Sequence, residues 1–136
     1  MPDARMSYSV SAPTGLGYDE AVSRAREALA AEGFGVLTEI DVKATMKAKL
    51  DLDRDPYIIL GACNPGFAHR ALEAEPELGV LLPCNVVVRV EDGRTIVSAV
   101  SAGDMLGMVG NPALEPIAAE VGERLARVVA AVAEAA

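Results

Sequence analysis

YIILGACNPGFAHRALEAEPELGVLLPCN, residues 57–85, is the stretch on which the fold of this chain turns. It carries both cysteines, the only histidine and two Cys-Asn pairs, each at the end of an apolar run. Tyr57 to Ala62 is apolar on both faces, which predicts an inner strand. Asn64 and Pro65 then offer a helix cap and a first-turn proline. They predict a helix over Pro65 to Glu75, with Ala68, Ala71 and Leu72 turned to the core and Pro76 as its stop. Val80 to Glu91 reads as a long strand. It is interrupted at Pro83, where a missing ladder donor predicts a bulge, edge or bend.

Downstream, Asp92-Gly93 sits between two β runs and predicts a hairpin, with Thr95 to Ser101 as the antiparallel partner. Gly103, Gly107 and Gly110 loosen the next stretch. Asn111-Pro112 opens a final helix, whose Leu114, Ile117, Val121, Leu125, Val128 and Val132 form one apolar stripe fit to cover a sheet. Glu115, Glu120, Glu123, Arg124 and Arg127 mark its wet face.

Upstream, Met6 to Ala12 alternates with the period of a half-buried strand, and Pro13-Thr14-Gly15 breaks it. From Tyr18 or Asp19 a helix runs to Ala31, with Val22, Ala25 and Leu29 inward, Asp19 as cap and Gly33 as stop. Phe34 to Ile40 is again a strand. Asp41 caps a short helix carrying Val42, Met46 and Leu50 at four-residue spacing, with Lys43, Lys47 and Lys49 outward. Asp51, Asp53 and Asp55 alternate in its exit loop like half of a calcium site, but the glycine and the distal glutamate of an EF-hand are missing. The element order describes an α+β fold, one antiparallel-rich sheet covered by helices, in a single domain spanning 1–136.

Composition narrows the function classes. At 136 residues the chain can bury a core without disulfides or metals. Its net charge of −8, from 20 acidic and 12 basic residues, repels phosphate backbones and anionic lipid, so neither nucleic acid nor membrane is an expected partner. No apolar run approaches the roughly 20 residues of a membrane span, and the first residues lack the apolar centre of a signal peptide. A cytoplasmic location follows. The two cysteines lack the CxxC spacing of zinc or thioredoxin-type chemistry, and no cofactor or metal site is called for.

GFGVLTEIDVKATMKAKL, residues 33–50, residues 57–88 and the hairpin after them resemble the family known as domain of unknown function 302. GACNP followed by LLPCN is the most specific part of the likeness, which runs from Gly33 to about Ser101. The resemblance implies a compact β-α-β4-α fold, similar in topology to one half of the TATA-binding protein, and a tendency to form homodimers. It implies no activity. Minor-groove binding needs a basic saddle with wedging aromatics, which an acidic chain with two phenylalanines does not offer.

Cys63, Asn64, His69, Cys84 and Asn85 are the candidate ligand-binding residues. A thiol just ahead of a helix N-terminus faces free backbone N–H groups and the positive end of the dipole, which favour thiolate. Set against that, Cys63 continues the phase of Tyr57, Ile59 and Gly61 into a buried slot for small residues. Cys84 shares its phase with Leu82, Val86 and Val88 and points into the core. His69 flanks the apolar face of its helix, one turn before Glu73. A Cys63–His69 couple would supply nucleophile and base, though without a third member or an oxyanion hole. With Cys84 and Met105 or Met108 the same residues could form a soft-metal site. Asn64 and Asn85 are cappers first and ligand contacts second. The reading that follows is a homodimeric binding or regulatory module with a small-molecule pocket between the Cys63 to His69 segment, the Pro83 bend and the last helix. A thiol-dependent enzyme or soft-metal carrier is the alternative, with no catalytic residue assigned.

Overall fold

Residues 8–135 are described by a computed structural model. Five strands, β1 (Ser9–Thr14), β2 (Gly35–Asp41), β3 (Tyr57–Cys63), β4 (Cys84–Glu91) and β5 (Arg94–Val100), form one sheet in the order β1-β5-β4-β3-β2. Every pairing is antiparallel. The hairpin joining β4 to β5 turns on Asp92 and Gly93, both at positive φ (51° and 75°), the conformation that the Asp-Gly signal demands. It sets the register that places Val88 opposite Val97 and Val86 opposite Ala99.

Helix α1 (Tyr18–Ala31) links β1 at one edge of the sheet to β2 at the other. With α5 (Glu115–Glu134) it packs on the face where Leu60, Val86, Val88 and Val97 point. Leu29 of α1 and Leu125, Val128 and Val132 of α5 close that layer with no appreciable exposure. Each such side chain is worth about 1.5–3 kcal/mol relative to exposure, so this interdigitation is the main stabilising term. On the opposite face Ile59, Val87, Ile96 and Val100 stay half-exposed around Arg89.

Several expectations shift. Met6 and Ser7 lie outside the described residues, and β1 runs through Pro13, which an edge strand tolerates because one side of it needs no ladder donor. Gly17, not Asp19, precedes α1, and Asp19 sits in the first turn. Val80 to Leu82 is not strand: Pro76–Leu81 winds as a 3₁₀ turn, and β4 begins only at Cys84, past the Leu82–Pro83 bond, which is cis. Pro83 lacks the N–H that would have extended the ladder. The stretch after β5 is ordered as α4 (Ala102–Gly107), because Ala102 and Leu106, four residues apart, both bury.

Two further departures concern helix faces. Asp41 caps α2 (Val42–Leu50) as expected, its Oδ1 accepting from Ala44 N at 2.9 Å. Yet no residue of α2 is buried, and Leu50 is 60% exposed. Arg124, read as solvated, instead ties three elements together. Its Nη1 donates to Glu32 O at 2.8 Å at the end of α1, and its guanidinium lies over the Phe67 ring at 5.2 Å.

Candidate functional site

Between α3 (Pro65–Ala74), the Pro83 bend and α5 lies an open-mouthed cavity of about 310 Å³. Its wall is apolar: Phe34 from the turn after α1, Ala68, Ala71 and Leu72 from α3, Leu78 and Leu82 from the turn beyond, Leu106 from α4, and Ile117 and Val121 from α5. No charged side chain lines it, and its polar members are Thr38, Cys63, Asn64 and Cys84.

Local sequence builds each wall. Cys63 closes β3, and Asn64 caps α3 with Oδ1 accepting from Phe67 N at 3.2 Å, so strand and helix meet at a fixed angle over the cavity. Pro65 occupies the first helical position, where its missing N–H is not needed. On the other side, Gly33 adopts φ +86°, which lets Phe34 N reach back to Leu29 O at 2.9 Å and sends the Phe34 ring inward. A Cβ at Gly33 would stand 2.9 Å from Asn64 Nδ2, a second reason for glycine there. The register of β2 against β3 shifts between Val36 and Thr38, and Leu37, within that irregularity, sits at the cavity mouth, 68% exposed.

The two thiols differ. Cys84, opposite Ala62 in the ladder, is buried, and burial foremost, with the neighbouring Cys63 second, pushes its pKa up to about 11. It is therefore a neutral S–H at physiological pH. Cys63 is half-buried, and the two do not form a disulfide.

The five candidate residues do not converge. Cys63, Asn64 and Cys84 line the cavity, whereas His69 and Asn85 do not. His69 is on the exposed side of α3, so the couple of Cys63 with a histidine base has no geometry to support it. Asn85 lies one residue past Cys84 along a regular strand and so points to the other face, beside Val87 and Arg89. Met108 is exposed, Met105 packs in the neighbouring apolar cluster, and neither borders the cavity. Among the described residues no group of three or more His, Cys, Asp or Glu is placed to hold a metal ion. Asp51 and Asp53 instead pair with Lys47 at 2.9 and 3.5 Å. Glu39 pairs with Arg26 at 2.7 Å, and no helix is long and apolar enough to cross a membrane among the described residues.

Phe34, Leu37, Leu78 and Leu106 were absent from the sequence-based site. The alternation of Ala102 and Leu106 with glycines was the available signal for α4, but nothing local to Leu37 announces the strand irregularity that exposes it.

Residues 8–132 match the family described as domain of unknown function DUF302. A crystal structure from Bacillus stearothermophilus, of an uncharacterized conserved protein of the same description, has the same fold with a TM-score of 0.86. Its sequence is 35% identical, over 92% of this chain and 98% of that one. No curated protein matches.

Proposed function

This chain belongs to the DUF302 family, and we propose that within it the protein is a binding module whose ligand is small and apolar. The observation that carries this reading is the cavity beside Cys63, about 310 Å³ with an uncharged, almost wholly apolar wall. An apolar ligand seated there would exchange water for dispersion contacts with that wall. Cys63, Asn64 and Cys84 are its polar contacts. The two unpaired cysteines suit a reducing compartment, and a cytoplasmic location is part of the proposal.

Titration with cyclohexane, followed by amide NMR, tests it. Shifts should concentrate at Ala68, Ala71 and Cys84 and vanish in Ala71→Leu, which fills the space. Shifts absent at saturation, or unchanged in Ala71→Leu, would remove the reading.

A second copy of the chain is the proposed macromolecular partner. The supporting observation is α2, a nine-residue helix with nothing buried, whose last residue Leu50 is exposed together with the flanking Ile40 and Leu52. A helix that short is marginal in water unless something covers its apolar side. Sedimentation should report a dimer that Leu50→Glu converts to monomer, and a wild-type monomer at all concentrations would dismiss the partner.

A further inference from the structure

The mouth of the cavity and the longest exposed segment of the chain share one edge of the sheet. Strand order leaves β2 with only β3 beside it, so one side of its backbone meets no other strand. The exposed members of the cavity lining are Leu37 and Thr38 on β2 and Leu72 on α3, so the cavity opens between the β2 edge and that helix. From Gly35 to Tyr57 no side chain is buried, although the segment forms both β2 and α2. Among the described residues nine large apolar side chains are exposed, and four of them, Leu37, Ile40, Leu50 and Leu52, lie on this segment. Apolar exposure is thus concentrated where the cavity opens.

The charge of the segment is polarised. Lys43, Lys47 and Lys49 on α2 are followed by Asp51, Asp53 and Asp55, with only Arg54 among them. A segment whose charge reverses along its length complements itself when two copies run antiparallel, as they do across a two-fold axis. Lys47 is engaged by Asp51 and Asp53 of its own chain, whereas Lys43, Lys49 and Asp55 make no ion pair among the described residues.

We infer that the cavity is a composite site whose lid is a second copy of the chain, seated antiparallel along β2 so that its own residues 35–55 cover Leu37 and Leu72. An edge strand with a free backbone ladder is a ready template for such addition. The inference rests on both parts of the reading above, the apolar ligand and the second copy, and joins them. Pairing completes the ligand site, and by linkage an occupied site favours pairing.

Cyclohexane affinity and self-association are measured on the same full-length samples, by headspace gas chromatography and sedimentation. Leu50→Glu and Ile40→Lys alter exposed residues of the segment that do not line the cavity, and far-UV circular dichroism certifies their fold. Both variants should be monomeric and bind cyclohexane about tenfold more weakly than the wild-type dimer, the effect of leaving on the order of 50 Å² of ligand uncovered. Dilution of the wild type through its dimer range should lower the affinity by the same factor with no substitution at all. Monomeric variants that bind within about twofold of the wild type would overturn the lid and leave both underlying readings standing. Variants that stay dimeric would also overturn it, since the interface would then lie elsewhere. So would weaker binding in the variants without a matching loss on dilution, which assigns the effect to the substitutions themselves. A wild type that binds cyclohexane but is monomeric at every concentration removes the second copy, and a wild-type dimer that binds none removes the apolar ligand; either takes this inference with it.

Discussion

Gly61→Ala is the sharpest single test of how the cavity end of the sheet is assembled. Gly61 is buried in β3, and a Cβ there would overlap Thr38 Oγ1 on β2, well inside contact distance, while standing 2.8 Å from Pro83 Cγ. Both neighbours are held. Thr38 is the residue opposite Gly61 just after the β2 irregularity, and the Pro83 ring leads directly into β4. One methyl must therefore displace a strand side chain and a proline ring together, an overpacking that costs about 1–3 kcal/mol. We place the cost at the upper end, about 3 kcal/mol, because two contacts are violated at once. Thr38→Ala removes the nearer atom and leaves the proline. The double variant Thr38→Ala/Gly61→Ala should thus recover about 1–2 kcal/mol relative to the sum of the single changes. Urea unfolding, with free energies taken from midpoint and slope, measures all four corners of the cycle. Additive single effects, or a Gly61→Ala cost below about 0.5 kcal/mol, would refute the claim that Thr38 and Pro83 close over this glycine.

Other perturbations read separate contacts. Cys84, raised from an ordinary 9.0 to about 11, favours the protonated state in the folded protein. Its contribution is complete below pH 9 and lost as pH rises towards 11, about 2–3 kcal/mol in all. Cys84→Ala should flatten that slope in alkaline unfolding curves, and an unchanged slope would assign it to other groups. At pH 8 roughly one Cys84 in a thousand is thiolate, so iodoacetamide should modify Cys63 first, with peptide mass mapping as the readout. Arg124→Met should cost about 1–2 kcal/mol despite the partial exposure of this side chain, through loss of the Glu32 carbonyl bond and the Phe67 contact; a neutral outcome in thermal unfolding would return Arg124 to the wet face.

Much of the architecture was legible because local chemistry and tertiary packing agree. Asp92-Gly93 dictated the hairpin, Asn64-Pro65 and Asp41 the helix starts, and the stripe from Leu114 to Val132 the helix that covers the sheet. The misreadings have equally physical sources. Val80 to Leu82 is β-prone by composition, but a ladder cannot be extended through Pro83, so the residues before it wind between Pro76 and Leu81. Around α4, glycine content suggested a loose segment, whereas burial of Ala102 and Leu106 outweighs the helix propensity that Gly103 and Gly107 lack. Arg124 shows the limit of reading a helix by charge alone: its guanidinium lies over the Phe67 ring while its Nη1 reaches a carbonyl.

The two Cys-Asn pairs look equivalent in the sequence, and their separation in space follows from the geometry of what succeeds each cysteine. After Cys63 the strand ends, so Asn64 escapes strand alternation, caps α3 and stays on the cavity side with its cysteine. After Cys84 the strand has just begun, so the period of two sends Asn85 to the opposite face. A strand end preserves neighbours on one side, whereas a strand start divides them. The same argument disposes of His69: counting from Asn64, a five-residue step along a helix turns through about 500°, or 140° net, carrying its ring off the face that holds Ala68 and Ala71. What lines the cavity beside its apolar wall is a threonine, a capping asparagine and two thiols of unequal burial.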